Sequence, residues 1–162
     1  MEREFLQIIQ ENQGIIYKVC NMYCDTGEDR NDLFQEIVAQ LWKSYPSFRK
    51  ESKVTTWMYR VGLNTAITTF KKSKRRPDQN RLTYENFQIA DENQEAETEE
   101  NIKLLHRAVA QLTGIEKSII LLYLENKKYE EIAEITGITQ NYVRVKMNRI
   151  KKKLKKLMDE EE

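Results

Sequence analysis

Residues 129–157 read Tyr129-Glu130-Glu131-Ile132-Ala133-Glu134-Ile135-Thr136-Gly137-Ile138-Thr139-Gln140-Asn141-Tyr142-Val143-Arg144-Val145-Lys146-Met147-Asn148-Arg149-Ile150-Lys151-Lys152-Lys153-Leu154-Lys155-Lys156-Leu157. Tyr129, Ile132 and Ala133 open one helical period, which Gly137 ends. Thr139 can cap the next helix, in which Val143, Met147, Ile150, Leu154 and Leu157 form an apolar stripe. Two helices joined by a short glycine-containing turn, the second basic on its free side, make a helix-turn-helix pattern.

Working upstream, Ile102, Leu105, Val109 and Leu112 make one stripe. Thr113-Gly114-Ile115-Glu116 has the spacing of a capping box, opening a helix through Ile119, Ile120, Leu122 and Tyr123. Three helical patterns fill the first half. Phe5, Ile8, Ile9, Ile15, Ile16, Val19 and Met22 read as one amphipathic helix, broken by Asp25-Thr26-Gly27. Asp25 or Thr26 can cap a second helix with the stripe Leu33, Phe34, Ile37, Leu41 and Tyr45, stopped by Pro46. A polar stretch from Arg49 to Lys53 leads into a third helix, from about Thr56 to Lys72, with Trp57, Met58, Val61, Ile67 and Phe70 available for burial. Between the halves, residues 78–100 show no usable period and are rich in Asp and Glu. The expected fold is therefore all-α: a helical domain over 1–76, a flexible acidic linker over 77–101 with some helix near its end, and a helix-turn-helix domain over 102–162.

Composition narrows the function. The 162 residues carry a net charge of only +1, with five Gly, two Pro, two Cys and one His. So little Gly and Pro speaks against a turn-rich β fold, and the longest apolar run, Ile119 to Leu124, is far short of a membrane span. No signal segment opens the chain, so a soluble, cytoplasmic protein without membrane insertion is expected. No Gly-rich phosphate loop is present, His106 stands alone as a surface or packing residue, and Cys20 and Cys24 suit reduced core thiols better than a metal site. No cofactor, metal ligand or catalytic group is expected. The small net charge conceals a pattern: residues 1–76 carry 13 Lys/Arg against 9 Asp/Glu, residues 77–101 one against 8, and residues 102–162 again 13 against 9. Two basic blocks separated by an acidic segment suit two contacts with a polyanion.

Three surfaces carry the candidate function. On the last helix, Asn141, Arg144, Val145, Asn148, Arg149 and Lys152 lie away from the core stripe, with Gln140 at the entering end. Arg, Asn and Gln on such a face read base edges in the major groove, while Lys151, Lys153, Lys155 and Lys156 suit phosphates. On the third helix, Lys53, Arg60, Asn64 and Lys71 agree in direction to within about 20°, and Lys72 adds charge at its end. Trp57 lies beside them, as a ring for stacking against an unstacked base or as a plain core residue. On the second helix, Asp32, Gln35, Glu36, Ala39 and Lys43 share a face opposite the apolar stripe, either a solvated face or a protein-docking one.

At this point a resemblance becomes specific. Asp32-Leu33-Phe34-Gln35-Glu36, Trp42, Thr56-Trp57-Met58-Tyr59-Arg60-Val61 and Asn64 resemble region 2 of the bacterial sigma factors. Tyr129 to Ile138, followed by Val143 and Arg149, resembles their region 4. The order of the two blocks, with no other region between them, is similar to the extracytoplasmic-function type. The resemblance implies that Asp32, Gln35, Glu36 and Trp42 dock on the clamp helices of the polymerase β′ subunit. It implies that Lys53, Trp57, Arg60, Asn64, Lys71 and Lys72 capture the −10 strand. Gln140, Asn141, Arg144, Val145, Asn148, Arg149 and Lys152 would read the −35 element, and the residues before them would approach the β flap. Val145 and Asn148 stand where Ser and His are common, so the promoter sequence read is expected to differ while the mechanism does not. Core RNA polymerase and promoter DNA are the implied partners, and an anti-sigma protein, which holds many relatives inactive, is a further one. The alternative is a DNA-binding regulator that uses only the helix-turn-helix, with the first domain as an interaction module.

Overall fold

The computed structural model describes residues 1–48, 50–74 and 96–160, the side chains of 72–74 and 96–98 excepted. Arg49, the basic residues Arg75 and Arg76, the side chain of Lys72 and the expected linker over 77–95 lie outside the described residues. All the regular structure described is helical: α1 (Glu2–Glu11), α2 (Gln13–Tyr23), α3 (Gly27–Ser44), a single 3₁₀ turn (Tyr45–Ser47), α4 (Val54–Lys74), α5 (Ala96–Ala110), α6 (Gly114–Leu124), α7 (Tyr129–Thr136) and α8 (Gln140–Glu160). No described helix is long and apolar enough to cross a membrane.

The first amphipathic pattern is two helices rather than one. Asn12 breaks it by donating its side-chain amide to the Ile8 carbonyl at 2.9 Å, and the Asn12 backbone N–H bonds Ile9 O rather than continuing the α-helical ladder. The bend lets Phe5 on α1 meet the ring of Trp42 edge-on, with centroids 4.9 Å apart, while Ile16, Val19 and Cys20 on α2 enter the core. Thr26, rather than Asp25, caps α3 by accepting from the Asp29 amide at 3.0 Å, and Glu28 and Asp29 complement the helix dipole there. Leu33, Ile37 and Leu41 of α3 meet Met58, Leu63 and Ala66 of α4 and the inner face of α2. The third helix is longer at both ends than its apolar period, because the Lys53 carbonyl already accepts the Trp57 amide and the basic cluster continues the helix to Lys74.

The second half is organised by its caps. Thr113 Oγ1 accepts from the Glu116 amide at 3.2 Å, and Glu116 Oε1 accepts from the Thr113 amide at 2.9 Å, completing the capping box. The same Glu116 oxygen accepts from Lys153 Nζ at 3.0 Å, which fastens α8 to the start of α6. Gly137 ends α7 at φ 79, a left-handed conformation costly for any residue with a Cβ. Thr139 Oγ1 accepts from the Tyr142 amide at 3.1 Å and so starts α8. Residues 96–101 of the expected linker belong to α5. His106, one of whose expected readings was a surface residue, is buried beside Ala108, Val109 and Leu112. Burial, with the nearby Lys117 ammonium, lowers its pKa to about 4. Cys20 and Cys24 are not joined in a disulfide, and burial raises their thiols to about 11 and about 12, so they hold their protons.

The two halves pack against one another, with α4 against α6 and α7, and α2 against α6. Tyr23 donates its hydroxyl to the Gly114 carbonyl at 2.6 Å, and Lys18 pairs with Glu125 at 2.6 Å. The backbone at Gly114 comes so near α4 that a Cβ there would lie 3.4 Å from Phe70 Cδ1 and 3.5 Å from Ile67 Cγ2.

These contacts set two expectations. Burial pushes the Glu116 carboxyl up, but the Thr113 amide and the Lys153 ammonium outweigh it, and its pKa is lowered. A lowered carboxyl stabilises the fold above the ordinary carboxylate range and loses that contribution as pH falls. Glu116→Ala therefore costs about 1–2 kcal/mol in urea unfolding at pH 7, and its deficit relative to wild type shrinks toward pH 3. The imidazole of His106 titrates near 6.5 in the unfolded chain and near 4 in the fold. Its burial therefore favours folding fully above about pH 6.5, and that contribution fades as pH falls toward 4. His106→Leu flattens the melting-temperature profile across that window; an unchanged slope would contradict the burial.

Candidate nucleic-acid interface

The helix-turn-helix presents α8 with one side committed to the core. Val143, Met147, Ile150 and Leu154 are buried, whereas Gln140, Asn141, Arg144, Val145, Asn148, Arg149 and Lys152 are all exposed. The seven expected readers thus share the free side of one helix. Guanidinium and amide groups can there reach base edges while the helix stays anchored. Lys155 and Lys156 are also exposed, with Lys152, on the far half of the helix. Two of the lysines assigned to phosphates are engaged within the fold instead: Lys153 binds Glu116, and Lys151 lies over the Tyr123 ring at 4.8 Å. Tyr142, which the sequence reading passed over, stands exposed at the entering end with Lys146 above its ring at 5.7 Å. An aromatic next to Asn141 on the first turn of a basic helix was the available signal.

On α4 the structure divides the expected group. Lys53, Arg60, Asn64 and Lys71 are exposed along one edge, but Trp57 is only 6% exposed. Its ring stacks on Phe48, with centroids 4.6 Å apart and planes at 21°, and faces Tyr45 at 6.1 Å. Trp57 therefore belongs to the core and fixes the start of α4, leaving the cations and the amide of Asn64 as the free edge. Phe48, which shields that ring, went unnoticed in the sequence because it follows Pro46 outside any helical period. Arg60 already has a partner, since its Nη2 donates to the Glu134 carbonyl of α7 at 2.9 Å.

The third face lies on α3. Asp32, Gln35, Glu36, Ala39 and Lys43 are exposed, and Glu36 accepts a local bond from Gln40 at 3.0 Å. Trp42 adds a ring that is 44% exposed while it packs on Phe5 in a T-shaped contact. A half-anchored aromatic beside acidic groups can dock a protein at small entropic cost, because its rotamer is already held.

Residues 8–76 match Sigma-70 region 2, and residues 102–154 match Sigma-70, region 4. RNA polymerase sigma factor SigV of Bacillus subtilis is 29% identical over 142 residues, covering 87% of this chain and 82% of the relative. The ECF RNA polymerase sigma-E factor of Haemophilus influenzae is 32% identical over 145 residues, covering 80% of this chain and 77% of the relative. The chain is a sigma factor of the extracytoplasmic-function type. Its fold is shared with sigma factor RpoE of Bartonella quintana, solved in complex with the anti-sigma factor NepR, at a TM-score of 0.69 and 15% identity, with 98% of this chain and 96% of that one covered. The region 2 match disfavours the plain helix-turn-helix regulator, which has no use for that block. In this sigma factor α1–α4 carry region 2, and the stretch from α5 into α8 carries region 4.

The exposed faces predict separable effects. Asp32→Lys with Glu36→Lys changes unfolding free energy by no more than about 0.5 kcal/mol, because neither side chain is buried or tied across elements. In filter binding against a library of duplex sites, Lys155→Ala and Lys156→Ala weaken all sequences alike and lower the salt slope. Arg144→Ala and Asn148→Ala change the preferred sequence, at about 1–3 kcal/mol for a lost base contact. Identical behaviour of Arg144→Ala and Lys155→Ala would contradict the division.

Proposed function

We propose that this sigma factor brings core RNA polymerase to promoters by three separate surfaces and opens DNA by binding energy, without a covalent step. The exposed side of α8 reads the −35 element from the major groove. The edge of α4 formed by Lys53, Arg60, Asn64 and Lys71, extended by Lys72, takes up the −10 strand. The face of α3 carrying Asp32, Gln35, Glu36 and Trp42 docks on the β′ clamp helices, and the helices preceding α8 approach the β flap. Residues 1–76 and 102–162 act as the two working domains, and 77–101 as the tether between them. An anti-sigma protein is a further partner, a reading supported by the Bartonella quintana complex. The site of action is the cytoplasm, where the polymerase is.

The observation that carries this reading is the exposure of all seven α8 readers beside a second cationic edge on α4 and an acidic face on α3. A DNA-binding domain alone needs only the first. An acidic face repels DNA and suits a protein partner instead. The cationic edge of α4 suits a single strand, whose phosphates meet cations while its bases leave the stack.

Run-off transcription with purified core polymerase and a genomic fragment library tests the reading. Promoter-specific transcripts are expected with the wild type. With Asp32→Lys plus Glu36→Lys they fall at least tenfold, roughly the effect of losing 1.4 kcal/mol of docking, while the variant keeps its duplex affinity. Unchanged transcription by that variant would move the docking surface away from α3.

A further inference from the structure

The free side of α8 is not uniformly polar. Tyr142 and Val145 are 44% and 37% exposed there, among Asn141, Arg144, Asn148 and Arg149. At roughly 100° per residue, Tyr142, Val145 and Arg149 stand within about 60° of one another. Arg144 and Asn148 lie on the other flank of the same face. The face therefore pairs a hydrogen-bonding flank with an apolar step. Single exposed apolar side chains are ordinary on a protein surface, but neighbours at i and i+3 form one continuous patch. The fold does not need that patch, because Val143, Met147, Ile150 and Leu154 already anchor the helix.

Both members of the patch are held in place. The Tyr142 amide donates to Thr139 Oγ1 at 3.1 Å, which fixes the first turn of α8. The Lys146 ammonium stands 5.7 Å from the centroid of the Tyr142 ring and braces it. Val145 is β-branched, and such a side chain has one strongly preferred χ1 in a helix. Contact with a ligand therefore costs the patch little rotamer entropy.

The surroundings select the ligand. Arg144, Lys146 and Arg149 rim the patch with positive charge, which suits a partner that is polyanionic overall and yet carries small apolar groups. Duplex DNA meets both conditions. Among the groups that base pairs present in the major groove, the C5-methyl of thymine is the apolar one.

We propose that Tyr142 and Val145 read thymine methyl groups and so bias the −35 element of this sigma factor toward thymines on neighbouring base pairs. The inference rests on the reading of α8 given above and adds to it the base that two side chains select without hydrogen bonds. Val145 lies about 4.5 Å further along the helix than Tyr142. That rise is close to the separation of successive base pairs, about 3.4 Å, so two methyls on adjacent pairs are met together. Arg144 and Asn148 keep their hydrogen-bonding groups for the pairs on the other flank. Burying one methyl is worth about fourfold in affinity, the equivalent of about 0.8 kcal/mol at about 1.4 kcal/mol per tenfold.

The test uses holoenzyme assembled from the full chain and core polymerase. Promoters are selected from a library randomised over the −35 element, and each thymine of the selected duplex is then replaced singly by deoxyuridine. That base keeps every pairing and groove hydrogen-bonding group and loses only the methyl. Wild type is expected to lose about three- to fivefold in affinity at one or two adjacent thymines and nothing elsewhere. Val145→Ser and Tyr142→Ala, both at exposed positions, are each expected to become indifferent to deoxyuridine at one of those thymines. Val145→Ile and Tyr142→Phe keep the apolar surface and are expected to keep the methyl dependence. Arg144→Ala is expected to keep it as well, while changing the preference at another position. Selected sites without thymines, no loss on deoxyuridine replacement, or an equal loss in Val145→Ser, Tyr142→Ala and wild type would overturn the thymine assignment and leave α8 as the −35 reader. A library from which no −35 sequence is enriched would overturn the promoter reading itself, and the thymine assignment with it.

Discussion

Everything in this structure depends on how α4 shares out its sides. Met58, Leu63 and Ala66 are buried against α2 and α3, and Ile67 and Phe70 take the approach of α6. The remaining edge keeps Lys53, Arg60, Asn64 and Lys71 exposed. A helix that were apolar all round would have no edge for nucleic acid, and one with a single narrow stripe could not hold both halves. Trp57, locked by Phe48 and Tyr45, fixes the rotation of α4 so that the division holds.

The other end of the molecule uses a comparable economy in its caps. One carboxylate, Glu116, closes the start of α6 and anchors α8 through Lys153. With Gly137 and Thr139 setting the turn, α8 cannot rotate without breaking a cap or exposing Val143 and Met147. The cationic side therefore points outward by elimination, and the residues proposed as readers are pre-arranged without any of them holding the fold.

Much of this was legible in the residues. The helix-turn-helix turn, the capping box and the exposed side of α8 follow from Thr113, Glu116, Gly137, Thr139 and the Val143–Leu154 stripe, because caps and periodicity are local. The break at Asn12 was not legible: the apolar period runs through it, and only the side-chain bond to Ile8 reveals the competition. Nor was the fate of Trp57, since a ring at that position satisfies a stacking role and a core role equally until Phe48 is seen upon it. The occupation of Arg60 and Lys153 depends on partners 37 or more residues away in sequence, which no spacing rule reaches.

The central claim is that α4 captures a strand, which is what separates a sigma factor from a protein that only binds duplex DNA. Permanganate reactivity of thymines in the −10 region, measured in holoenzyme carrying Arg60→Ala or Asn64→Ala, tests it most directly. The account predicts normal polymerase binding and promoter recruitment with lost reactivity, and partial recovery of transcription by Arg60→Ala on a pre-melted bubble. Normal opening by both variants, or no recovery on the bubble, would contradict it.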